Sequence, residues 1–379
     1  MSDNALPLAI VGGGPTGLAC ALLLARRGLA SVVIEPRALA DAQNDRRLLA
    51  LARGSWDALR PLLGPAAPPT APIAEVHVSS AGEFGVTRLA ASDHGGQPLG
   101  ATVHYGDLVA ALDAAAMAST PIELARGRRV VALAQKPERV TIALDGGGTL
   151  DAGLAIHAEG TASAANEDDA ALPWALIGEV VLAGPPAGTA FERFTRDGPL
   201  ALLPAPSDRG PLWSLVWCAD RATVQRRLAS GAGEFTTELQ AALGPRLARV
   251  ASVVGPRSAY PLRSRTRAAL VEHRAVWLGN AAQTLHPVAG QGFNLGLRDA
   301  VVLADALAAH ADATEALRVY AQRRRADRAA ITAATRWLPQ IFATRAAPIA
   351  AVRMLGLAAL DLMPPARRGL AELLMFGVR

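Results

Sequence analysis

Residues 6–37 read "LPLAIVGGGPTGLACALLLARRGLASVVIEPR", and this stretch decides the fold. Leu8 to Val11 is a short apolar strand that runs into Gly12-Gly13-Gly14-Pro15-Thr16-Gly17. A helical run to Arg27 follows, Gly28 stops it, and Ser31 to Ile34 reads as a second strand with Glu35 at its end. Each part has a physical task. Gly12 permits a tight turn, Gly14 lets a pyrophosphate approach the backbone, and Gly17 lets helix and strand pack closely. The helix start, with Pro15 and Thr16 in its first turn, offers free N–H groups and a partial positive charge to phosphates. Glu35 is placed to accept hydrogen bonds from a ribose, and its charge disfavours a 2′-phosphate there. The stretch therefore predicts a dinucleotide site. Whether the dinucleotide is FAD or NAD is not encoded in these residues alone.

The rest of the chain narrows the choice. Its 379 residues are 51% hydrophobic and 19% charged, enough to bury a large core and too apolar for a disordered chain. The formal charge of +5 is modest, and aromatics at 4% form no stripe with the basic residues, so nucleic acid is not an expected partner. "QRRRADR" at 322–328 reads as a solvated helix face, with attraction to an anionic membrane surface as the alternative. Cys20 and Cys218 sit in separate apolar runs and read as small buried hydrophobes. No apolar run of about 18 residues occurs, so no membrane span is expected, and with no signal-peptide pattern the expected location is cytoplasmic. Neither GxSxG nor a metal-binding spacing is present, which removes the common hydrolases and metalloenzymes; no metal is expected.

Along the chain, residues 46–63 read as helical with Leu51, Trp56, Leu59 and Leu63 as core, and 74–80 alternates like a strand. Helix is expected from Asp107 to Met117, and a β-meander over 138–160 turns at Gly146–Gly148, where no helix follows to make a second phosphate loop. Residues 176–217 are β-rich, with a hairpin at Asp197-Gly198. Helix returns over 221–248, a connecting strand over 252–262, a buried strand at 274–280, and helices over 292–310 and 315–336. The expected fold is α/β: a Rossmann-like nucleotide-binding domain (1–72, 100–165 and 252–336), an inserted β-sheet substrate domain (73–99 and 166–251), and a helical C-terminal region (337–379).

Four segments taken together carry a resemblance: the glycine fingerprint, "DRRLLAL" (45–51), "FERFTRDGPLALLP" (191–204) and "GNAAQTLHPVAGQGFNLGLRDA" (279–300). In this order the chain resembles the flavin-dependent aromatic hydroxylases, and within them the ubiquinone-biosynthesis hydroxylase branch. The resemblance implies a fold like that of para-hydroxybenzoate hydroxylase with FAD as cofactor. It implies that Gly12, Gly14, Pro15, Thr16 and Gly17 serve the FAD pyrophosphate, that Glu35 serves its ribose, and that Arg47 contacts the cofactor. Gly279 and Asn280 match the pair that holds the pyrophosphate and ribityl chain. Pro287, Gly290, Gln291, Gly292 and Asn294 match the loop that approaches the isoalloxazine ring. NAD(P)H and O₂ are the implied co-substrates, and a C4a-hydroperoxyflavin the implied oxygen donor to an aromatic ring.

Three positions depart from the family pattern. Asn280 replaces its Asp, Gln283 replaces its His, and Glu159-Gly160 replaces an Asp-Gly pair without the arginine often found soon after. Asn280 keeps hydrogen-bonding capacity and removes a negative charge near a diphosphate, so FAD binding is expected. His286 and Pro287 are the candidate catalytic residues. His286 would assist a phenol or a proton relay, with a structural role equally open, while Pro287 fixes the loop. Tyr105, Tyr260 and Trp213 are candidates for either a pocket lining or the core. The substrate is a polyprenylphenol or a soluble aromatic, and a flavoprotein subunit without turnover is the rival of another class. The apolar, proline-broken segment 337–379 either packs on the core or touches the inner membrane peripherally. A homodimer or a biosynthetic complex is a further expected partner arrangement.

Overall fold

The computed structural model describes residues 6–83, 85–160, 172–285, 291–343, 354–356 and 359–378. The fingerprint strand Leu8–Val11 lies inside a six-stranded sheet, between Leu154–His157 on one side and Ser31–Glu35 on the other. Ile122–Arg126 extends the sheet beyond Ser31–Glu35, and Ala275–Trp277 and Val271–Glu272 extend it beyond Leu154–His157. Every pairing is parallel except that of the last two strands. Such strands are covered on both faces, which is why "SVVIE" is buried throughout instead of alternating.

The covers differ. On one face lie the helices Pro15–Ala25, Tyr105–Met117 and Gln291–Ala309, sharing a core that includes Leu18, Leu108 and Leu303. The first of these is apolar on nearly all sides, as a helix between a sheet and two other helices must be. On the other face lies the antiparallel meander Val130–Gln135, Val140–Leu144 and Thr149–Ala152, whose Val140 and Ile142 pack on Ala9, Val32 and Ile34. The chain leaves Leu8–Val11 toward one neighbour and later returns to the other. A crevice therefore opens at the carboxyl end of this strand, where α/β sheets bind ligands.

A second sheet has seven strands in the order Arg249–Pro261, Trp174–Ala183, Leu212–Ala219, Pro199–Ala205, Thr189–Phe194, Glu75–Ser80 and Val86–Ala90. It is antiparallel except between Thr189–Phe194 and Glu75–Ser80. Helices Arg221–Ala229 and Ala232–Leu243 cover one face through Val224, Phe235 and Leu239. Trp213 belongs to that core, its indole N–H donating to the Thr189 carbonyl at 2.8 Å. The expected hairpin at Asp197-Gly198 joins two adjacent strands of this sheet.

One expectation fails locally. Residues 48–52, read as helix, form the strand Leu48–Ala52, and helix begins only at Arg53. Leu and Ala favour helix, but this run is short enough for pairing to decide, and it pairs antiparallel with Gly100–His104. Ala71–Ile73 completes this three-stranded sheet. Cys20 and Cys218 are both buried, and burial pushes each thiol up to about 12, so neither is a reactive thiolate.

Candidate functional site

The glycine turn is built by close backbone packing. Gly12 holds φ +109°, and a Cβ there would lie 2.6 Å from the Ala158 carbonyl and the Glu159 Cα. A Cβ on Gly17 would lie 1.9 Å from the Gly12 carbonyl oxygen, so strand end and helix start touch main chain to main chain. Gly14 opens the helix Pro15–Ala25, and no side chain caps that start. The first-turn N–H groups therefore face the crevice without a side-chain acceptor, in the arrangement that suits a diphosphate.

Glu35 is buried at the end of its strand. Its Oε2 accepts the Gly13 N–H at 2.7 Å, and its Oε1 accepts the backbone N–H and Nε of Arg37 at 3.0 and 3.1 Å. A carboxylate has about four acceptor positions, so one remains for a ribose hydroxyl. Tyr105 lies over the same turn, its Oη 3.4 Å from where a Gly14 Cβ would stand. Tyr105 and then Glu35 push the Arg37 guanidinium above its ordinary value. Arg47 stands 5.0 Å from the centre of the Tyr105 ring and binds Asp45 through Nε and Nη2 at 2.9 and 2.6 Å. Burial pushes the Asp45 carboxyl up, but the Arg47 contacts outweigh it and hold it below its ordinary value.

The distant motif at 279–299 meets this turn. Gly279, at φ +55°, packs against Thr16: its absent Cβ would sit 3.2 Å from the Thr16 Oγ1. Gly296 closes the contact from the helix Gln291–Ala309, its own absent Cβ 2.8 Å from the Gly279 Cα. Asn280 is exposed, and its Oδ1 lies 3.8 Å from where a Gly292 Cβ would stand. The fold thus brings Gly17 against Gly12, Gly279 against Thr16, and Asn280 close to Gly292. His286, Pro287 and Gly290 lie outside the described residues, as does the side chain of Gln291.

Asn294 is buried and spans two elements. Its Nδ2 donates to the Ala50 carbonyl and its Oδ1 accepts the Ala52 N–H, both at 2.8 Å. The side chain thus mimics a neighbouring strand and seats Leu48–Ala52 against the helix. Beside Gly12, the Glu159 Oε1 lies 2.9 Å from the Nδ1 of His157, which stacks on Trp277 at 4.8 Å. Arg267 lies over the same indole at 3.8 Å.

The sequence reading missed a buried ionic network behind Gly279. Asp299 accepts from Arg324 Nε at 2.7 Å, from Gln283 Nε2 at 3.0 Å and from the Gly279 N–H at 3.2 Å. Arg324 and Arg298 donate to Asp327 at 2.7 and 2.8 Å, and Arg328 donates to Gln283 Oε1 at 2.6 Å. Burial pushes the Asp299 carboxyl up against the pull of Arg324, while Asp299 and Asp327 hold Arg324 charged. Gln283 therefore orients the Gly279 turn from behind instead of entering the crevice. This also corrects the solvated reading of 322–328, because Arg324 and Asp327 face the core. The signal was spacing: Leu317, Tyr320, Arg324, Asp327 and Ile331 fall on one buried helix stripe.

Next to Asn294 is an apolar cavity of about 170 Å³. Its walls come from Leu48–Ala52, from the uncovered face of the seven-stranded sheet (Val76, Val78, Ala190, Val216) and from the helix Pro364–Phe376. Among the described residues, Glu192 and Asn294 are the only polar ones that line it. That helix packs through Ala371 and Met375 on Leu89 and Leu99, so this part of the C-terminal region joins the core. Tyr260 and Tyr105 do not line the cavity. No helix among the described residues is long and apolar enough to cross a membrane.

Residues 5–335 match the family model described as FAD binding domain. The ubiquinone hydroxylase UbiL of Rhodospirillum rubrum is 33% identical, with 97% of this chain and 89% of that protein aligned. The 3-demethoxyubiquinol 3-hydroxylase of Escherichia coli is 29% identical over 95% of this chain and 96% of its own length. Among solved structures, p-nitrophenol 4-monooxygenase from Pseudomonas putida superposes with a TM-score of 0.75 at 18% identity, covering 98% of both chains.

Proposed function

The chain belongs to the FAD-binding monooxygenase family, and on that premise we propose that it hydroxylates the ring of a polyprenylphenol intermediate of ubiquinone biosynthesis. The balanced reaction takes an aromatic C–H, O₂, NAD(P)H and a proton to the phenol, water and NAD(P)⁺. FAD, when bound, would supply the electron transfer from NAD(P)H to O₂ and the transfer of one oxygen atom to the ring. The protein's task is to bind, orient and keep water away.

In this reading Gly12, Gly14, Pro15, Thr16 and Gly17 hold the diphosphate of FAD, Glu35 its ribose, and Gly279 and Asn280 the chain beyond. Arg47 contacts the cofactor, and Gly290, Gln291, Gly292 and Asn294 border its ring. His286 and Pro287, which lie outside the described residues, keep the catalytic role that the sequence motif implies for them. The observation that carries the substrate class is the cavity. Its volume of about 170 Å³ is close to that of apolar protein cavities that admit one benzene ring. Its aliphatic walls keep water out, which limits loss of the activated oxygen as peroxide. The prenyl tail would lie outside, where Leu355, Leu362 and Met363 are exposed just before the wall helix. This supports a peripheral membrane contact through 337–379, from which a lipid-dissolved substrate would enter.

The same ring-sized volume also fits a soluble aromatic substrate. Mass spectrometry of quinone intermediates in a strain lacking the gene separates the two. Accumulation of a prenylphenol short of one hydroxyl is expected. An unchanged quinone profile would reject the polyprenylphenol reading in favour of the soluble one.

A further inference from the structure

The helix that walls the cavity ends on the network that holds the nucleotide turn. After Phe376, Gly377 adopts φ +79°, and Val378 donates its backbone N–H to Asp327 Oδ1 at 3.0 Å. A Cβ on Gly377 would lie 1.8 Å from Arg298 Nη1 and 2.6 Å from Asp327 Oδ1, so a glycine is required for the chain to pass over this pair. Asp327 then binds Arg324, Arg324 binds Asp299, and Asp299 accepts the Gly279 N–H. One continuous chain of charge-assisted hydrogen bonds thus runs from the cavity wall to the glycine that packs on Thr16. Both carboxylates are buried, so the arrangement of their donors is tightly constrained: any displacement strands a charge away from water. The other end of the wall helix is held separately, by Arg367 to Asp93 at 3.0 Å.

We propose that Asp327 and Gly377 are positioning residues that clamp the cavity-wall helix Pro364–Phe376 to the Gly279 turn, so that an occupied cofactor site tightens the substrate cavity and an empty one loosens it. The proposal rests on the reading of this cavity as the site of the substrate ring. By linkage the coupling is reciprocal: whatever loosens the helix at its Gly377 end also loosens the cofactor. A purely structural helix end would change melting temperature without linking the two sites.

The test needs no substrate. Hydrogen exchange over residues 364–378 is compared in flavin-free and FAD-loaded protein, and FAD release is followed by the rise in flavin fluorescence. Wild type is expected to protect 364–378 on FAD loading. Gly377→Val is expected to abolish that protection and to release FAD about 10-fold faster, within the usual range of coupling between sites. Asp327→Asn serves as the second variant and is expected to act in the same direction. Arg367→Ala, which loosens the far end of the helix, is expected to leave FAD release near wild type. Equal protection with and without FAD in wild type, or FAD release from a folded Gly377→Val within twofold of wild type, would overturn the clamp. Either result would leave the substrate reading standing, since that is tested separately, by the quinone profile of the deletion strain and by turnover of Ala190→Phe.

Discussion

Gly17→Ala is expected to purify as a colourless protein with FAD affinity lowered at least about 100-fold, the scale expected when an active-site backbone shifts by about 1 Å. The cause is local. The new Cβ would stand 1.9 Å from the Gly12 carbonyl oxygen, and both groups are main chain, so no rotamer change relieves the contact. Relief requires the helix start to move away from the strand end, taking with it the N–H groups that face the diphosphate. Gly233→Ala is the control, since nothing lies within 4 Å of a Cβ there and the residue is inside the helix Ala232–Leu243. That variant should stay yellow and gain roughly 0.5–1 kcal/mol of stability. Flavin absorbance per folded protein, with circular dichroism to confirm folding, measures both.

Ala190→Phe is expected to spare the flavin and remove the activity. Ala190 is buried on the cavity face of the seven-stranded sheet, beside Val76 on the neighbouring strand. A phenyl group there occupies the space of the substrate's own ring, because the cavity is about 170 Å³ in all. Overpacking should cost about 1–3 kcal/mol of stability, and kcat/KM for a phenol should fall by about two orders of magnitude, or roughly 2.7 kcal/mol. FAD content should remain that of wild type. Unchanged turnover in this variant would place the substrate elsewhere.

The parts of the molecule legible in the sequence are those where one short pattern fixes one local geometry. Gly12, Gly17 and Glu35 were readable because a tight turn, a helix–strand contact and a strand-end acid each demand a particular residue at a particular spacing. Leu48–Ala52 was not, because Leu and Ala fit helix or strand, and the decision lies with Gly100–His104, some fifty residues away. The network around Asp299 and Asp327 was hidden for a different reason. Charged residues on a helix are normally solvated, and only the position of Arg324 and Asp327 in line with Tyr320 and Ile331 marks them as buried. Asn294 lay inside a recognised motif, yet its pairing with Ala50 and Ala52 required the fold to bring the segments together. The cavity was least legible, because its lining is contributed by several strands and a helix with no shared sequence signature.

The central claim, an FAD-dependent hydroxylase of an aromatic ring, is tested most directly by isotope. FAD-loaded protein is supplied with NAD(P)H, a prenylphenol in lipid vesicles and ¹⁸O₂, and the product is weighed by mass spectrometry. A product carrying one ¹⁸O atom, formed one-for-one with NAD(P)H consumed, is expected. A product whose new oxygen comes from water, or NAD(P)H oxidation that yields only peroxide, would contradict the claim.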